Sequence, residues 1–251
     1  MVNLKKEFSY ENALHLAELA GLAYQEEKQF KKTASAMGYK SVKYFDVDGA
    51  QAYGMAKEDY IVLAFRGTEP TEFNDIKADL NALHVRNELG AGRVHKGFKR
   101  EVDDIWEQIE AWISKRKFKQ AYTCGHSLGG AMSTIACSRL PEGSTCYSFG
   151  SPRVGTPGWV REFDNKFILH RFVNNNDIVP RVPFALMWYK HAGHLNYINT
   201  YGNIRSATPW QRLKDRFRGY WSALKKRELF DSIYDHAMPK YIKRIKNFEQ
   251  S

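Results

Sequence analysis

Short apolar runs alternate with amphipathic stretches through the middle of this 251-residue chain. Residues 61–65 are apolar at every position and rich in β-formers, as a strand covered on both faces would be. Further strands are predicted at 120–124, 145–149, 167–173 and 195–198, and the helices between them at 97–117, 127–140 and 158–163. This alternation predicts an α/β fold with a mostly parallel central sheet covered by helices on both faces.

Two elements are predicted before the first buried strand. Ser9 can cap a helix whose apolar side chains recur every three or four residues as far as Tyr24. The period then changes to two, and residues 42–45 and 52–55 flank the turn signal Asp48-Gly49. This second pattern predicts a β-hairpin.

Composition limits the class of protein. With 43% hydrophobic and 26% charged residues, the chain can form a sizeable core, and we expect a single domain over 1–251. A formal net charge of +10 favours anionic partners without selecting one. Three cysteines without C-x-x-C spacing fit neither a disulfide scaffold nor a zinc domain. No cofactor is expected.

Nothing in the sequence predicts a targeting or membrane-spanning segment. Lys5 and Lys6 precede no apolar run, because Glu11 and Glu18 interrupt the stretch that follows. The longest uncharged run, 120–138, contains three glycines and divides into strand, turn and helix. A soluble, cytoplasmic protein is the expectation, with leaderless export left open.

The motif GHSLGG at 125–130 matches G-x-S-x-G between a predicted strand and a predicted helix. A serine hydroxyl is a weak nucleophile, so it must be presented on a sharp turn where a base and oxyanion donors can reach it. Ser127 is therefore the candidate nucleophile. The backbone N–H of Leu128 is one candidate oxyanion donor, and that of Thr68, after the strand at 61–65, is the other.

The acid and the base should follow the serine in that order. Asp177 comes just after the strand at 167–173, at the strand end where open α/β sheets place their sites. Asp164 is a weaker candidate because it lies on a predicted helix. For the base, His191, His194 and His236 all remain possible, since spacing alone does not choose among them.

Several segments together resemble the fungal-type, or class 3, lipases. They are VLAFRGT at 62–68, VHKGF at 94–98, GHSLGG at 125–130, FGSPRVG at 149–155, RFVN at 171–174 and DIVPRVP at 177–183. The similarity runs in consistent order from about Tyr10 to Ile198 and is completed by Asp235-His236.

The resemblance implies an α/β-hydrolase fold that cleaves carboxylic esters of lipids without a metal. It implies Ser127 as nucleophile, Asp177 as acid and His236 as base, with Thr68 and Leu128 as oxyanion donors. It also implies a lid at about 69–83. The substrate expected is a triacylglycerol or other lipid ester, with a short soluble ester or, in phospholipase A-type action, an anionic phospholipid as alternatives.

A basic segment at about 205–228 carries aromatic side chains at helical intervals, a pattern typical of helices that lie on anionic membranes. A core-packed helix with a charged outer face is the competing interpretation. The first interpretation predicts peripheral contact with an anionic membrane or lipid droplet surface. A non-catalytic lipid-binding module and a polyanion-binding protein are further alternatives, but no nucleic-acid-binding motif accompanies the charge. The sequence does not predict an oligomeric state.

Overall fold

A computed structural model describes residues 2–68, 83–205 and 235–250. The predicted lid, apart from Leu83, and the basic segment, apart from Arg205, lie outside the described residues. Within the described ranges, every helix is too short or too polar to cross a bilayer.

The central sheet contains eight of the strands in the described part of the chain, in the order β1-β2-β3-β6-β7-β8-β9-β10. These strands are β1 (Ser41–Val47), β2 (Ala50–Ala56), β3 (Tyr60–Phe65), β6 (Gln120–His126), β7 (Thr145–Phe149), β8 (Ile168–Asn174), β9 (His194–Ile198) and β10 (Ile204–Arg205). A separate pair is formed by β4 (His84–Val85) and β5 (Val94–His95). From β3 through β9 the sheet is parallel, and its outer strands pair antiparallel. The mostly parallel sheet is thereby confirmed.

Helices cover both faces of the sheet, as the strand–helix alternation predicts. They are α1 (Tyr10–Leu22), α2 (Glu27–Ala36), α3 (Lys96–Ile113), α4 (Leu128–Cys137), α5 (Pro157–Lys166) and α6 (Met238–Glu249). One apolar cluster joins a face of the sheet to α3, α4 and α5, and a second joins the other face to α1, α2 and α6. Burial of these two layers is the main favourable term in folding.

Local signals at the N-terminal end act as predicted. The Ser9 Oγ accepts a hydrogen bond of 3.0 Å from the Asn12 N–H and caps α1. Asp48 and Gly49 form the two-residue turn between β1 and β2, with φ of 51° and 90°. Positive φ at both turn positions is the geometry that matches the twist of a hairpin.

α2 and α3 are among the helices that differ from the sequence-based expectation. α3 ends at Ile113 rather than at 117, because the basic residues that follow offer no apolar side chain to the core. α2 has no counterpart among the predicted elements. Only Phe30 and Ala34 of that helix are buried, so its apolar stripe is too narrow to stand out in the sequence.

The parallel strands bring distant segments to one edge of the sheet. β3 and β6 pair in a register that sets Phe65 opposite Gly125, so the ends of both strands lie side by side. β8 runs in the same direction and ends at Asn174. Candidate residues that follow these strands therefore meet at the carboxyl edge, where ligand sites of open α/β sheets occur.

Candidate active site

Ser127 occupies a strained turn between β6 and α4. Its backbone has φ 57° and ψ −126°, a conformation that an L-residue adopts only at an energetic cost of about 1–3 kcal/mol. The Ser127 N–H donates to the Phe149 carbonyl at 3.0 Å, which ties the turn to the end of β7. Strain held by the surrounding structure is typical of functional positions, and this turn has the strand–turn–helix form expected of a nucleophile elbow.

The loop after β3 packs directly onto this turn. A Cβ at Gly67 would overlap the Tyr24 hydroxyl and come within 2.5 Å of the His126 carbonyl oxygen, so a side chain cannot be accommodated there. This close approach brings the loop that carries Thr68 to the residue before Ser127. The roles of Thr68 and Leu128 as oxyanion donors remain predictions.

Asp177 and His236 meet although they lie 59 positions apart in the sequence. The His236 Nδ1 donates to the Asp177 carboxylate, at 2.9 Å from Oδ2 and 3.1 Å from Oδ1, and both side chains are buried. The Val179 N–H also donates to Asp177 Oδ1 at 2.9 Å. A neutral imidazole that donates through Nδ1 has its lone pair on Nε2, which is the arrangement a general base requires.

Gly150 lies against this pair and links it to the serine turn. A Cβ there would lie 2.8 Å from Asp177 Oδ2 and 3.0 Å from the His236 ring, in a backbone with φ of 60° that favours glycine. Its neighbour Phe149 accepts the hydrogen bond from Ser127. The end of β7 is therefore in contact with all three candidate triad residues or their backbone.

Asp235 holds the segment that carries His236. Its buried carboxylate forms an ion pair with Lys240 and accepts from the Asn175 side chain and the Asn176 N–H, each at 3.1 Å. The Asn174 side-chain amide donates to the Asp235 carbonyl at 2.8 Å. These bonds join the residue before His236 to the loop that leads to Asp177, so the two segments are positioned as one unit.

The other candidate acid and bases have different surroundings. The His191 Nε2 donates to the Pro180 carbonyl at 2.7 Å, and His194 is an exposed residue at the start of β9. Asp164 on α5 accepts from the Gly193 N–H at 2.8 Å. Of the three histidines, the structure pairs His236 with Asp177.

Tyr241 is a further site residue, and it was not predicted from the sequence. Its hydroxyl donates to Asp177 Oδ2 at 2.5 Å and accepts from the Asn174 N–H at 3.0 Å. Burial, together with the neighbouring Asp177 carboxylate, raises the pKa of the Tyr241 hydroxyl well above its usual range. The hydroxyl therefore stays protonated and stabilises the buried carboxylate. Its position one helical turn into α6 was the only sequence signal available.

Tyr241→Phe is expected to weaken both stability and catalysis. Because the buried carboxylate loses a donor, the free energy of unfolding should fall by about 1.5–3 kcal/mol. The kcat should fall by about tenfold as Asp177 and His236 lose their alignment. Urea unfolding and ester hydrolysis measure the two effects. The control is Tyr53→Phe, which removes a bond to the neutral Gln25 carbonyl at 3.3 Å and should leave kcat unchanged. Equal kcat losses in both variants would contradict the role of Tyr241.

His126 connects the serine turn to the segment that carries His236. Its Nε2 donates to the His236 carbonyl at 2.7 Å, which leaves Nδ1 to accept from the Tyr24 hydroxyl at 2.8 Å. Burial, with a smaller contribution from His236, lowers the pKa of His126 well below its usual range. His126 is therefore a neutral structural link, and its two hydrogen bonds hold the residues around Ser127 and His236 in register.

An apolar groove of about 790 Å³ adjoins this link between α1, α2 and α6. Tyr24, His126 and Ala237 are among its lining residues, and Leu22 and Ile242 contribute apolar side chains to it. The described residues contain no cluster of three or more histidine, cysteine or acidic side chains that could hold a metal ion. The site brings three reactive groups to the carboxyl edge of the sheet: an alcohol, an imidazole and a carboxylate.

Comparisons with known proteins match the same region. Residues 62–187 match the family model Lipase (class 3). Toxin TseL of Vibrio cholerae is 30% identical over 207 residues, covering 64% of this chain and 31% of that protein. Secreted mono- and diacylglycerol lipase A of Penicillium cyclopium is 29% identical over 157 residues, covering 59% of this chain and 51% of that protein.

A solved triacylglycerol lipase, whose catalytic centre is described as a serine protease triad, shares the fold. The TM-score is 0.65 at 22% identity, covering 92% of this chain and 94% of the solved one. The α/β-hydrolase fold expected from the sequence is confirmed by this similarity. The matches to TseL and to the Penicillium enzyme span about a third and about half of those proteins.

Proposed function

Because this chain belongs to the class 3 lipase family, we propose that it is a serine hydrolase that cleaves carboxylic esters of lipids. The observation that carries the proposal is the buried hydrogen bond between His236 Nδ1 and the Asp177 carboxylate, beside the strained turn of Ser127. A buried carboxylate that orients an imidazole next to a strained serine is the constellation of nucleophilic acyl transfer.

In the proposed first step, His236 Nε2 takes the proton of the Ser127 hydroxyl as Oγ attacks the ester carbonyl. Asp177 keeps the proton on Nδ1 and stabilises the imidazolium that forms. The imidazolium then donates its Nε2 proton to the alkoxide leaving group, so that the alcohol departs and an acyl-enzyme remains. Tyr241 and Val179 share the charge of Asp177 and keep its carboxylate in place.

The second step repeats the proton transfers with water. His236 takes a proton from water as the hydroxide attacks the acyl carbonyl, and it returns a proton to Ser127 Oγ as the fatty acid leaves. In both steps the carbonyl oxygen becomes an oxyanion. We assign its stabilisation to the N–H groups of Leu128 and Thr68, which Gly67 allows to approach the turn.

Acylglycerols are the substrate class that we propose. The proteins to which this chain is similar include a mono- and diacylglycerol lipase and a triacylglycerol lipase. Phospholipids and short soluble esters remain the competing substrates.

The proposal is tested by rates over a series of p-nitrophenyl esters from acetate to palmitate, with and without an emulsified interface. We expect turnover of the series and a preference for longer acyl chains in emulsion, since chain burial contributes to binding. Pretreatment with an organophosphate that modifies active serines should abolish the rate. No hydrolysis of any ester in the series, under either condition, would contradict the proposal.

A further inference from the structure

Five consecutive residues at 184–188, which we call the apolar loop, lie exposed between β8 and β9. Leu186 is 95% exposed, Trp188 73% and Phe184 61%. Most large apolar side chains in the described residues are buried in the two cores, so this cluster is unusual for the molecule. A contiguous exposed apolar patch typically marks a surface that binds a partner or a membrane.

The apolar loop is held in place at both ends. Before it, the Arg153 N–H donates to the Val182 carbonyl and the Arg153 Nη1 to the Pro183 carbonyl, both at 2.8 Å. After it, the Lys190 N–H donates to the Gly155 carbonyl at 2.8 Å. The apolar side chains are therefore presented by an ordered segment.

Buried Tyr189 provides a third attachment. Its ring packs against His84 and His95, with centroids 4.4 and 5.8 Å away, and its hydroxyl donates to the Leu83 carbonyl at 3.4 Å. Trp188, one residue earlier, has φ of 61°, an unfavourable backbone for a bulky side chain. The fold thus buries Tyr189 and directs its neighbour into solvent at an energetic cost.

The sequence around the apolar loop contains basic but no acidic residues. Residues 178–193 contain no aspartate or glutamate, and exposed Lys190 lies two residues after the loop. Asp164 approaches this range at Gly193, five residues after the loop, where it accepts from the backbone N–H. Exposed Lys96 donates its N–H at 2.9 Å to the same Leu83 carbonyl that Tyr189 binds, and Leu83 itself is 56% exposed. Apolar side chains that penetrate, with lysines beside them, match a lipid surface that carries anionic groups.

We propose that the apolar loop inserts into an anionic lipid surface and holds the enzyme there. The loop begins seven residues after Asp177, so insertion would keep the carboxyl edge of the sheet close to the lipid. This inference rests on the proposed function for its purpose, since lipid esters reside at such surfaces. It involves neither the predicted lid nor the basic segment at 205–228.

The test measures partition onto vesicles of equimolar phosphatidylcholine and phosphatidylglycerol. The full chain carrying Ser127→Ala is used throughout, so that vesicle lipid is not consumed. Adding Leu186→Ser and Trp188→Asn should lower the partition coefficient by about a hundredfold, because each side chain no longer leaves water. Asparagine is chosen because it tolerates positive φ.

The matched control is Phe8→Ser, which removes an aromatic side chain that is 37% exposed and packs against His170 near the start of β8, away from the carboxyl edge of the sheet. It should leave partition close to that of the parent. Unchanged partition of the Leu186→Ser/Trp188→Asn variant, or an equal loss with Phe8→Ser, would overturn the proposal. So would sedimentation showing that the apolar loop pairs two copies of the chain in place of binding lipid.

The same loop substitutions on the otherwise wild-type chain separate this proposal from the proposed function. Their rate on soluble p-nitrophenyl acetate should match wild type, while the rate on emulsified ester falls with partition. If the protein binds vesicles through the loop but hydrolyses no ester, the proposed lipid anchor is kept and the proposed hydrolase function is rejected. If the protein hydrolyses soluble and emulsified ester equally well with and without the loop substitutions, the hydrolase function is kept and the lipid anchor is rejected.

Discussion

Ser127→Ala is expected to lower kcat for p-nitrophenyl butyrate by roughly a millionfold, to the residual level that binding and oxyanion donors alone sustain. The reason is that the proposed acyl-enzyme cannot form without the serine oxygen. Alanine and serine have similar backbone strain at φ 57°, so the thermal midpoint of unfolding should change little. Stopped-flow and long-incubation assays measure the rate, and circular dichroism monitors the fold.

If Ser127 and His236 act as one catalytic unit, the losses of kcat caused by replacing them should not be additive. Ser127→Ala combined with His236→Ala should be no slower than either single variant, because removal of one member already disables the others. If Ser127→Ala kept most of the wild-type rate, the nucleophile assignment would be wrong. If the fold-loss of kcat in the double variant equalled the product of the two single fold-losses, the two residues would act independently.

His236→Ala is expected to lower kcat by roughly a millionfold as well, since the serine loses the group that accepts its proton. The matched controls are His191→Ala and His194→Ala, the two other histidines that follow Asp177 in the central part of the chain. Both should retain most of the wild-type kcat, because His191 bonds to the Pro180 carbonyl and His194 is exposed at the start of β9.

These three variants are compared on one soluble ester, so that binding to lipid surfaces does not enter. A larger loss at His191 or His194 than at His236 would move the base to that residue. Unfolding in urea provides the second readout, because removal of the buried His236 ring leaves the Asp177 carboxylate with fewer donors and should reduce stability. The exposed His194 should show no such reduction.

Most of the fold could be predicted from the sequence because its signals are local. Periods of two and of about 3.6 report which side of a segment is buried, and that decides strand or helix without reference to distant residues. The serine turn is local in the same sense, since strand, glycines and helix occupy adjacent positions at 120–137. α2 escaped prediction because just two of its side chains are buried.

The site was predictable in part. Asp177 follows a buried strand, and its place at the carboxyl edge results from the parallel sheet. The choice among three histidines was not predictable from spacing, and it came from the resemblance to a lipase family. The role of Tyr241 could not be predicted, because the sequence pattern of a tyrosine that packs in a core is the same as that of a tyrosine that binds a carboxylate.

The sequence alone determined the alternating strands and helices of the parallel sheet, the presentation of Ser127 and the position of Asp177 after a strand. Only the tertiary structure brought His236 and Tyr241 to the Asp177 carboxylate, joined His126 to Tyr24, and left residues 184–188 in solvent. The physical reason is the range of the interactions. Periodicity reports burial between neighbours in the chain, whereas these contacts join segments whose distance depends on how the whole sheet and its helices pack.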